Sequence, residues 1–87
     1  MNVDYTATAT LAGPIDDVEA DALVRGLRDY RASHRPSGHD GQLDVTFTLR
    51  AGSSREAVIR ALSLSDDLGR RLVRLQVDPI EIGDGRR

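Results

Sequence analysis

Two histidines and two arginines crowd one short stretch of an 87-residue chain. His34 and His39 fall in SHRPSGHDG (33–41), beside Arg31, Arg35 and Asp40. Two imidazoles and a carboxylate suit a metal ion, but residues five apart do not share a helix face. Pro36 and Gly38 mark turns instead, and no third strong ligand stands nearby. The four bases Arg31, His34, Arg35 and His39 form a candidate anion-binding loop over 31–40. Positive charge just past a helix also complements the helix dipole, which is the simpler reading of the same residues.

Carboxylates gather in IDDVEAD (15–21). Paired acids can do acid–base work. These four fall in the first turns of a predicted helix, where negative charge is favourable in any case. The chain contains no G-x-S-x-G, no H-E-x-x-H and no phosphate-binding G-x-x-x-x-G-K-[ST] motif. It has no cysteine, so thiolate chemistry, thiolate metal ligands and disulfides are all excluded. The expectation is a chain with no catalytic residue, no bound cofactor and no metal, and not an enzyme.

All twelve basic residues are Arg, against fourteen Asp and Glu, for a net charge of −2. Arginine without lysine, amid abundant Ala, Gly, Val and Asp, points to a GC-rich genome such as that of an actinobacterium or its phage. The balance lacks the basic excess of a nucleic-acid binder, so no nucleic-acid partner is expected. MNVDYTATAT is not a signal peptide, and no apolar run reaches the ~20 residues of a membrane span. A protein without membrane contact, in the cytoplasm (the host's if phage-encoded), is expected.

The elements that would position these residues are written in two periods. Val3, Tyr5, Ala7, Ala9 and Leu11 alternate with Asp4, Thr6, Thr8 and Thr10, as in a strand buried on one face. Leu43, Val45, Phe47 and Leu49 repeat the pattern against Asp44, Thr46, Thr48 and Arg50, and Val73, Leu75 and Val77 repeat it again. Pro79 predicts an edge position or bulge, because it lacks a ladder donor. Asp16 and Glu19, then Ser53 and Glu56, have capping-box spacing and predict two helices. The first carries Ala20, Leu23, Val24, Leu27 and Tyr30 on one arc, and the second Ala57, Val58, Ala61 and Leu62. SDDLGRR (65–71) reads as either a further turn of helix or a loop.

Strands apolar on one face only require both helices on that face. The predicted fold is therefore a two-layer α/β (α+β) sandwich, βαβαβ, a small ferredoxin-like or split βαβ sheet. It forms one domain over 1–83, with a flexible tail at 84–87. Residues 3–9 align with 43–49 without a gap, consistent with a duplicated strand–helix unit or with two strands of one sheet converging on the same pattern. The uncovered face would carry Thr6, Thr8, Thr10, Thr46 and Thr48, a candidate partner face. It has no aromatic for base stacking. A thin core and unpaired edges predict a homodimer, with residues 3–11 as the preferred edge.

The segments YTATATLAGPIDD, LDVTFTLRAG with EAVIRALSL, and VRLQVDPIEI resemble a set of small uncharacterised actinobacterial and actinobacteriophage proteins. In some of these a strand–helix–strand–helix–strand block precedes a helix-turn-helix. The resemblance implies the same block here, no catalytic residue, and no DNA-reading helix within these 87 residues. The functional expectation is a non-enzymatic protein-interaction module with a host or phage protein partner. The alternative is a small-ligand or anion sensor built on the 31–40 loop.

Overall fold

The computed structural model describes residues 2–38, 41–69 and 71–80; His39, Asp40, Ile82 and the 84–87 tail lie outside them. The elements are β1 (Val3–Leu11), α1 (Asp17–Arg25), a 3-10 turn (Arg28–Tyr30), β2 (Ser33–Pro36), β3 (Leu43–Ala51), α2 (Ser54–Asp66) and β4 (Leu72–Pro79). The sheet order is β2-β3-β1-β4, and every neighbouring pair is antiparallel. β1 and β2 are therefore parallel with β3 between them, and β3 and β4 are parallel with β1 between them. Each half is a split βαβ unit, and together they make the expected ferredoxin-like two-layer sandwich.

The central register explains the repeated strand. β1 pairs with β3 so that Ala7 faces Phe47. Those two residues are also equivalent under the alignment of 3–9 with 43–49. An approximate two-fold axis through that pair exchanges β1 with β3 and β2 with β4. Inward-facing Tyr5, Ala7, Ala9, Leu11, Leu43, Val45, Phe47, Leu49 and Ala51 are all buried, against Ala20 and Leu27 from the α1 side and Ala57 and Ala61 from α2.

Both predicted caps form. Asp16 accepts from the Glu19 amide at 2.8 Å, and Ser53 accepts from the Glu56 amide at 3.1 Å. Gly13 and Gly41 let two loops cross in close contact. A Cβ on Gly13 would overlap the Gly41 carbonyl, and Gly41 holds φ +74° against the Pro14 ring.

The structure corrects the sequence reading at five places. Among the described residues the sheet has four strands rather than three. β2 forms within the stretch read as loop, because four residues without apolar alternation are drawn into the ladder by β3. β1 is central, paired with β3 along its length and with β4 from Tyr5 to Leu11, so residues 3–11 offer no free edge for a dimer. Val58 and Leu62 are not core; they stand 39% and 42% exposed, because α2 turns the small residues Ala57, Ala61 and Ser65 to the sheet. Tyr30 leaves the α1 arc for the 3-10 turn and is 37% exposed. The β4 register shifts between Thr10 and Leu11, placing Leu72 rather than Val73 opposite Leu11 and leaving Val73 exposed. Of the 65–71 stretch, α2 takes only the first two residues, ending at Asp66.

Candidate functional site: the open edge of β3

Of the residues proposed as one anion site, Arg31, His34 and Arg35 do not converge. Arg31 sits just after the 3-10 turn, in the left-handed conformation at φ 54°. In β2 the side chains alternate between faces. His34 turns toward the helices, with Nε2 3.0 Å from Asp21 Oδ1 of α1. Arg35 lies on the opposite, outer face, with Nε 4.0 Å from Asp44 Oδ2. No group of three His, Asp or Glu side chains that could hold a metal occurs among the described residues.

The outer face is polar throughout and half-buried at its threonines. The ladder sets Thr6 opposite Thr48, Thr8 opposite Thr46, and Thr10 opposite Asp44. Thr10 Oγ1 donates to Asp44 Oδ1 at 2.6 Å, and Arg50 Nε meets Asp4 Oδ1 at 3.1 Å. On β4, Arg74, Gln76 and Asp78 hydrogen-bond in series. Cross-strand pairs of this kind stabilise the sheet, and they account for much of the charge on the face.

The two sheet margins are unequal. β4 covers β1 from Tyr5 to Leu11, and it is blunted as an outer edge by the irregularity at Val73 and by Pro79, which lacks a donor. β2 covers β3 only from Leu43 to Thr46. The internal symmetry would extend that cover toward Ala51, but the preceding chain is coiled into the 3-10 turn. Among the described residues, Phe47 to Ala51 therefore have no strand on that side.

Ladder alternation shows which groups this exposes. Ser37 N–H donates to the Gln42 carbonyl across β2 and β3, so even-numbered β3 residues direct their backbone groups away from β1. Beyond Thr46 these are Thr48 and Arg50. The Arg50 carbonyl accepts from Arg60 Nη1 at 2.7 Å. The Thr48 N–H, the Thr48 carbonyl and the Arg50 N–H have no hydrogen-bond partner among the described residues.

A groove of about 830 Å³ lies along this stretch, bounded by Tyr30 and Arg31 on one side and by Arg60, Ser63 and Leu64 of α2 on the other, with Leu49 also lining it. Arg60 is held by Glu56 at 2.9 Å. The Gly52 amide, donating to Glu56, together with the Arg60 charge, holds the Glu56 carboxyl below its ordinary range. Sequence reasoning missed this site. The alternation of β3 marks a strand but not how far its neighbour extends, and that depends on where the chain from α1 rejoins the sheet.

Compared with protein families and with curated proteins, the chain matches none.

Proposed function

We propose that this chain is a protein-interaction module that performs no catalysis and works in the cytoplasm. The observation that carries the reading is the unpaired backbone of Thr48 and Arg50 at the floor of a groove. Exposed strand edges are sites where other chains add, and the groove volume falls in the range of ligand sites. The chemistry around it also supports binding. Arg50 and Arg60 are committed to Asp4, Glu56 and a carbonyl, which shapes the groove without arming a reactive group. No helix among the described residues is long and apolar enough to cross a membrane.

The test is a comparison of tagged wild type with Ser63→Trp in co-purification from a GC-rich bacterial host. Ser63 is exposed on α2 and lines the groove, so a bulky side chain there blocks the mouth without entering the core. A protein retained by wild type and lost by the variant, with unchanged thermal melting, is the expected result. Equal retention removes the groove from the reading, and no retention by wild type overturns the interaction module itself.

A further inference from the structure

We infer that the open stretch of β3 receives an extended segment of a partner protein as a short fifth strand, and that the segment carries an aliphatic side chain and an acidic one. The inference rests on the interaction-module reading and specifies the partner's chemistry.

Three backbone groups are offered: a donor and an acceptor on Thr48 and a donor on Arg50. A strand running antiparallel to β3, as every other neighbour in this sheet does, exchanges two hydrogen bonds with Thr48 and takes a third from Arg50. The ladder then stops, because Arg60 already occupies the Arg50 carbonyl. Main-chain bonds of this kind hold an added strand, and pockets beside it select its side chains. Here Tyr30, Leu49 and Leu64 give the groove an apolar side suited to an aliphatic residue.

Charge supplies the second requirement. Three arginines and two aspartates line the groove. Arg50 is paired with Asp4, and Arg60 with Glu56. Arg31 has no ion-pair partner among the described residues, nor has Asp29 on the same turn, so both signs are open. Direction sets which part of the segment meets Arg31. An antiparallel segment runs the same way as β2 and ends where the chain enters β2 at Ser33, beside Arg31. A carboxylate near the segment's C-terminal end therefore meets the Arg31 guanidinium. A second copy of this chain is a poor occupant of the same edge, since a few residues of strand fall far short of the ~1,200–2,000 Å² that stable interfaces bury.

The experiment uses the full chain, ¹⁵N-labelled, and three end-blocked peptides. The first is Ser-Val-Thr-Val-Glu-Ser; the second has Lys in place of Glu; the third has Pro in place of the central Thr. The first peptide should shift the amide resonances of Thr48 and Arg50 and slow their hydrogen exchange. It should bind roughly threefold tighter than the Lys peptide, the scale of an exposed ion pair. That preference should vanish in Arg31→Asn, a substitution that removes the charge and tolerates the left-handed backbone. The Pro peptide should not bind.

Absence of any shift at Thr48 and Arg50 at millimolar peptide overturns the site, as does equal binding of the Pro peptide. Equal binding of the Glu and Lys peptides overturns the acidic specificity. Shifts confined to α2 amides also overturn this site but leave the interaction module standing, whereas that module falls only on the co-purification result.

Discussion

Phe47 is the largest fully buried side chain, and it lies at the centre of the sheet opposite Ala7. Its truncation should cost about 3–5 kcal/mol, the transfer and cavity terms together. Thr46, one residue away, faces outward between Thr8 and Ser33, and Thr46→Ala should cost under ~1 kcal/mol. Urea melts of the two variants give the order; the reverse order means the strand phase is wrong. At the loop crossing, Gly13→Ala has no room, because its methyl meets backbone rather than a side chain that can swing away. It should lower the urea midpoint more than Gly26→Ala, whose nearest neighbour lies at ordinary contact distance, 3.4 Å.

At the scale of elements, α2 shows why a helix's apolar stripe is not always its buried stripe. Ala57, Ala61 and Ser65 recur every fourth residue and are wholly buried, and their small size lets the helix lie close on the sheet. Ala61→Leu should therefore overpack the interface and cost about 1–3 kcal/mol. Leu62→Gln, at the exposed margin, should cost under ~1 kcal/mol by chemical denaturation. The α2 cap also titrates. The folded-state pKa of Glu56 is depressed, chiefly by the Gly52 amide, with the Arg60 charge assisting. A depressed pKa means the interaction contributes fully above the ordinary glutamate value and is lost as pH falls through the folded value. Stability measured across that acid range should fall more steeply for wild type than for Glu56→Gln, and parallel curves would show that the cap contributes nothing.

For the whole molecule, the core is thin and three aliphatic side chains of α2 stand more than a third exposed: Val58, Ile59 and Leu62. With β1 central and β4 blunted, a homodimer has this aliphatic surface to use rather than a sheet edge. Light scattering should give twice the monomer mass of 9.5 kDa, reverting to the monomer in Ile59→Glu. A mass that stays at the monomer value at every concentration ends the dimer proposal.

The sequence by itself determined the phases of β1 and β3, both helix caps, the burial of Tyr5 and Phe47, the polar outer face and the two-layer arrangement. Each follows from local rules: period two, capping spacing, and the need to hide one face of every element. Tertiary structure decided what no local rule contains. Ser33–Pro36 became a strand because β3 offered it a ladder, though nothing in SHRP alternates. Val58 and Leu62 lost their place in the core because two alanines and a serine allow closer approach to the sheet. Arg31, His34 and Arg35, neighbours in sequence, were sent to a turn and to opposite faces of a strand by side-chain alternation. The open edge at Thr48 and Arg50 exists because the chain leaving α1 coils before it re-enters the sheet. Strand partnership is a property of two distant segments, and either one alone reads as complete.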